Sequence, residues 1–115
     1  MKRVHHKDLT LERWEKLSFC EQMAHVGSEV GRAMSWRGRN EKYSELALER
    51  ALELLDLTLE ACVKSGPRLR ELARVREALV DYFYFSNEYG SSDKAWQNYF
   101  GAFAYAAKNP LARRS

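Results

Sequence analysis

Apolar residues in this chain recur at intervals of three and four, the period that gathers side chains onto one face of an α-helix. Phe19, Met23, Val26, Val30 and Met34 form the first long stripe. Ser18-Phe-Cys-Glu21 at its head has the pattern of a capping box, in which hydroxyl and carboxylate each satisfy an exposed amide of the first turn. A short helical turn is expected before it, after Thr10. Leu48, Leu52, Leu55, Leu59 and Cys62, widened by Ala47, Ala51 and Leu54, make a second stripe from about Glu41. Leu69, Leu72, Val75, Leu79 and Phe83 make a third, and Trp96, Phe100, Phe103 and Ala107 a fourth. No segment alternates strictly enough between turn signals to be a strand.

The breaks between stripes carry their own chemistry. Gly38 and Asn40 mark a short connection with a good N-cap. Ser65-Gly66-Pro67 is expected to end the second long helix through a left-handed glycine and to open the third with proline. Asn87 to Asp93 reads as a polar loop from which a serine and Asp93 start the last helix, and Asn109-Pro110 ends it. The pattern therefore predicts an all-α, up-down four-helix bundle occupying residues 1–115 as one domain. Residues 1–16 are expected as a peripheral N-terminal extension and 109–115 as a basic tail. Gly27 and Gly31, one turn apart, are expected to admit a neighbouring backbone rather than a ligand.

Composition narrows the function classes. A chain of 115 residues, 45% hydrophobic and 30% charged, fits one globular domain. No apolar run approaches the roughly 20 residues needed to span a bilayer, so no membrane partner is expected. Met1-Lys-Arg-Val-His-His-Lys7 leads into Asp8 and Glu12 rather than the apolar core of an export signal, which gives a cytoplasmic expectation. Cys20 and Cys62 lack C-x-x-C spacing and read as reduced core thiols. Glu21, His25 and Glu29 share a helix face, but no second helix supplies the Glu-x-x-His partner of a di-iron bundle, and no glycine-rich loop precedes Lys-Ser/Thr. Neither a metal nor a cofactor is expected.

The net charge of +3 is modest, but its distribution is uneven. Cations gather at Arg32, Arg37, Arg39 and Lys42, again at Lys64, Arg68, Arg70, Arg74 and Arg76, while the second long helix is acidic. The first cluster surrounds Trp36, so phosphate-binding charge and an aromatic plane for a base stand together, and Arg74 extends the candidate surface. In the stretch Arg76-Glu-Ala-Leu-Val-Asp81-Tyr82-Phe83-Tyr84-Phe85, Arg76 has the planar donor array that suits phosphate oxygens. Asp81 could accept a proton from a ribose hydroxyl, but a carboxylate is a poor general acid at neutral pH. Tyr82, Phe83, Tyr84 and Phe85 cannot all face one side of a helix and are candidates for a subunit or partner interface.

Arg76-x-x-x-x-Asp81-Tyr82 resembles the R-x4-6-H motif of HEPN proteins, particularly the R-x4-H-x-Y form of HepT-type toxins. Ala47-Leu-Glu-Arg-Ala-Leu-Glu-Leu-Leu-Asp56 and Leu72-Ala-Arg-Val-Arg-Glu-Ala-Leu-Val80 are similar to the helices that flank and bear that motif, so the likeness covers approximately residues 44 to 107. The resemblance implies a HEPN-like helical homo-oligomer whose paired motifs line an RNA-binding cleft, with a toxin-antitoxin role and a nucleotidyltransferase as protein partner. Carried over residue by residue, only Arg76 matches a catalytic position. Asp81 stands in place of the histidine and Phe83 in place of the motif tyrosine, so the resemblance implies an RNA-binding protein with absent or weakened metal-independent ribonuclease activity. The basic loop in a small helical protein also resembles ribosomal intervening-sequence proteins and the accessory variability proteins of diversity-generating retroelements. That likeness implies the alternative, a noncatalytic oligomeric scaffold that binds nucleic acid and a protein such as a reverse transcriptase.

Overall fold

Side-chain caps set most of the helix starts in the computed structural model, which describes residues 10–109. Thr10 caps α1 (Leu11–Trp14), accepting from Arg13 N–H at 3.2 Å. Ser18 caps α2 (Phe19–Trp36) with the full capping box: its Oγ accepts from Glu21 N–H at 3.1 Å, and Glu21 Oε1 accepts from Ser18 N–H at 2.8 Å. Asn40 caps α3 (Glu41–Ala61) and Ser92 caps α5 (Asp93–Lys108), each through a backbone amide at 3.1 Å. The remaining helix, α4 (Gly66–Tyr84), starts without a side-chain cap at Ser65 and relies on Pro67 in its first turn. The described residues are all-helical, with no strand, and none of these helices is long and apolar enough to cross a membrane.

Helix α2 packs against both α3 and α5, while α4 and α1 lie against α3. Met23, Val26 and Val30 of α2 are fully enclosed by Leu55 of α3, Leu72 and Leu79 of α4, and Trp96 and Phe100 of α5. Each such side chain removed from water contributes about 1.5–3 kcal/mol before the entropy of ordering is charged against it. Side-chain pairings fix the helix directions. Phe19 meets Phe103 edge-on with ring centroids 5.5 Å apart, while Phe100 lies against Gly27, so α2 and α5 run antiparallel. Arg68 sits over Phe19 and Arg37 over Tyr82, so α2 and α4 run parallel.

At Gly27 the α2 backbone comes close to α5. A Cβ built there would lie 2.6 Å from Phe100 Cβ, whereas one built at Gly31 would meet nothing within 4 Å. The expected close approach therefore belongs to Gly27, and Gly31 instead borders an open groove between α2 and α5 of about 250 Å³.

Two expectations are corrected. Residues 10–16 are not wholly peripheral, because Trp14 is 3% exposed and donates its indole N–H to Thr58 Oγ1 at 2.9 Å on α3. Gln22 then ties α1 down by donating to Trp14 O and Leu17 O, both at 3.2 Å. The expectations for residues 1–9, and for the basic tail past Asn109, fall outside the described residues. Nor does a left-handed glycine end α3: Gly66 has no positive φ and begins α4, while α3 closes through the Cys62 amide, which donates to Thr58 O and Leu59 O. Positive-φ glycines stand instead at Gly38 and Gly90, in the turns before α3 and α5.

Candidate nucleic-acid interface

The connection between α2 and α3 is a tight turn that needs Gly38, whose φ of 82° is left-handed. Its amide donates to Glu41 Oε2 at 2.8 Å, and Asn40 caps the next helix. This turn leaves the Arg37 side chain projecting across to the end of α4. There one guanidinium nitrogen donates to Tyr82 O at 2.9 Å, and the group lies 4.6 Å from the Tyr82 ring centroid and 4.8 Å from that of Phe83. An arginine so placed gains cation–π stabilisation at two faces and clamps the aromatic end of α4 against the basic turn. The Tyr82 hydroxyl donates to Asp93 Oδ1, which fastens the same end to the start of α5. Burial first, and then that carboxylate, raise the Tyr82 pKa above its ordinary value of 10.0.

Between the clamp and α3 opens a cleft of about 480 Å³. Arg37, Phe83 and Tyr84 form one side, and Glu41, Lys42, Ser44, Glu45 and Leu48 the other. Ser44 is buried, its hydroxyl donating to Ala33 O at 2.7 Å, so it joins α3 to α2 at the cleft floor. Lys42 and Glu45 are exposed. Tyr84 is 46% exposed and Phe85, just past the helix, 73%. Tyr82 and Phe83 are half-buried, so the four consecutive aromatics divide between the core and the surface as the helical period requires. Trp36 is also half-buried: Tyr43 meets it edge-on at 5.0 Å, and the Arg39 guanidinium lies 5.0 Å from its ring centroid. Its contribution is to brace Tyr43 and Arg39 beside the cleft rather than to offer an uncovered plane.

The other candidates are dispersed. Arg32 pairs with Glu29 one turn earlier at 3.0 Å, and Glu29 also takes Arg50 at 3.4 Å. Arg74 is exposed on α4, away from the cleft lining. Arg76 forms a two-pronged pair with Asp56 of α3, its Nε at 2.7 Å from one carboxylate oxygen and an Nη at 3.3 Å from the other. Asp81 accepts the Tyr89 amide at 3.0 Å, and its carbonyl accepts from Phe85 N–H and Asn87 N–H, so it organises the α4–α5 loop. Five positions along a helix place Arg76 and Asp81 about 140° apart around its axis, which explains the divergence. The structure does not bring these two side chains to one site. On the α2 face shared by Glu21, His25 and Glu29, Glu21 serves the capping box, Glu29 the arginines, and His25 sits beside the Trp14 ring at 5.8 Å.

Ser44 and Glu45 were not singled out from the sequence, and Leu48 and Glu41 were read only as core and as helix start, although the spacing of the four places them on one face of α3. What the periodicity could not supply was the direction of the Arg37 side chain, which selects that face. Comparison with family models, curated proteins and solved structures yields no match.

Proposed function

We propose that the protein is a noncatalytic RNA-binding module, a cytoplasmic HEPN-like four-helix bundle that takes a single strand at the cleft between the α2–α3 turn and the end of α4. The observation that carries this reading is the convergence of Arg37 and Lys42 with Phe83 and Tyr84 on one open cleft. A strand presents a charged backbone and unstacked base faces at once, and a groove combining cations with aromatics meets both. Arg39 beside the cleft serves the phosphates, Lys42 adds positive charge within it, and Tyr84, 46% exposed, serves the bases. Arg37 acts chiefly by holding the aromatic end in place, since its guanidinium is engaged with Tyr82 and Phe83. The pairing of Arg76 with Asp56, and of Asp81 with the α4–α5 loop, favours binding over strand cleavage.

Fluorescence anisotropy with a labelled single-stranded RNA tests the proposal. Binding is expected to weaken steeply with salt, and Lys42→Ala and Tyr84→Ala each to weaken it, the aromatic change by about 1–3 kcal/mol. RNA that fails to bind, or that binds both variants like the wild type, would refute the site. Homo-oligomer formation, also part of the HEPN-like reading, is measured by sedimentation in the same samples.

A further inference from the structure

The cleft contains a feature that backbone binding alone does not explain. A carboxylate repels phosphate, yet two line the cleft beside Lys42. Glu41 is accounted for, because its Oε2 receives the Gly38 amide and closes the turn. The side chain of Glu45, one turn further along α3, is exposed and makes no hydrogen bond or ion pair with the other described residues, and the Lys42 side chain is in the same condition. Three positions apart on a helix, Lys42 and Glu45 are surface neighbours with Cβ atoms about 5–6 Å apart. Side by side they present an ammonium with donors only and a carboxylate with acceptors only.

That pairing complements one base edge better than the others. The Watson–Crick edge of guanine runs acceptor, donor, donor: O6, then N1–H, then the N2 amino group. Lysine meets the acceptor and both carboxylate oxygens meet the two adjacent donors. Uracil offers a single N–H between two carbonyls, cytosine an amino group followed by two acceptors, and adenine an amino group and one acceptor, so none gives the carboxylate two neighbouring donors. Phe83 and Tyr84 across the cleft supply aromatic faces, and a volume of about 480 Å³ lies in the range of small-ligand sites. We propose that this cleft selects guanine, with Glu45 reading N1–H and N2–H and Lys42 reading O6. The selection rests on the strand-binding reading above; a free guanine nucleotide presents the same edge.

The test is anisotropy with short labelled RNAs of uracil alone and of uracil alternating with guanine, adenine or cytosine, on wild type and Glu45→Gln, with unlabelled GMP, AMP and UMP as competitors. The guanine-containing strand is expected to bind wild type on the order of tenfold tighter than the others. Glu45→Gln should erase that preference without weakening the uracil strand. Competition by GMP at the affinity of the strand would identify the free nucleotide as sufficient ligand; weak competition would identify the strand. Equal wild-type binding of all four strands, or a preference that survives Glu45→Gln, would overturn guanine selection while leaving strand binding intact. Absence of binding to every strand and nucleotide would overturn both.

Discussion

Replacing Gly27 by alanine inserts a methyl group where α2 packs tightly on Phe100 of α5. Carbon atoms in contact prefer about 3.5–4.0 Å, and the new Cβ would sit 2.6 Å from Phe100 Cβ and 2.9 Å from its Cγ. A Cβ moves only with its backbone, so no rotamer of Phe100 relieves the first contact, and α5 must shift by about 1 Å relative to α2. Such overpacking costs about 1–3 kcal/mol. Alanine recovers about 1 kcal/mol of helix propensity, leaving a net destabilisation of about 1 kcal/mol. Gly31→Ala is the matched control, in the same helix with nothing within 4 Å of its added Cβ, and should stabilise by about 0.5–1 kcal/mol. Urea unfolding followed by far-UV circular dichroism reads both effects as shifts of midpoint at constant slope. Equal stabilisation by the two substitutions would refute the close-approach reasoning.

Other consequences follow from the same geometry. Thr58→Val keeps the shape of a fully buried residue but removes the acceptor for the Trp14 indole; it should cost about 1–3 kcal/mol in urea unfolding, and much less in a Trp14→Phe background. Arg76→Ala and Asp56→Ala, which break an exposed ion pair, should each cost only about 0.2–1 kcal/mol, with the loss shared in a double-mutant cycle. Tyr99 is shifted above its ordinary value of 10.0 by burial first and then by its hydrogen bond to Glu71. The folded state therefore holds this proton more tightly than the unfolded chain, so its contribution is full below about pH 10 and declines as pH rises further. Urea midpoints measured from pH 8 to 11 should fall at the alkaline end, and the fall should be shallower in Tyr99→Phe.

The helices were legible in the sequence because their signals are local. The Ser18-x-x-Glu21 box, the Asn40 cap and the 3.6-residue stripes depend on residues within a turn or two of one another. Trp14 was not read as core because four helical residues generate no periodicity, and its acceptor lies 44 positions away on Thr58. The candidate site was legible in parts. The basic turn and the aromatic end of α4 each stood out by composition, but their meeting depends on the Arg37 side chain crossing to Tyr82, 45 positions later. Conversely, Arg76 and Asp81 formed a conspicuous linear motif whose members the helix turns to different partners, Asp56 and the Tyr89 amide. Linear spacing shows which residues share an element, whereas pairing across elements decides which of them share a site.

The most direct test of strand binding at the cleft is an amide chemical-shift titration of the 15N-labelled protein with a short single-stranded RNA. The proposed site predicts shifts concentrated on residues 36–45 and 82–86, growing as salt is lowered, with the amides around Asp56 and Arg76 little changed. Shifts centred instead on Arg76 and Asp56, or none anywhere at saturating RNA, would contradict it.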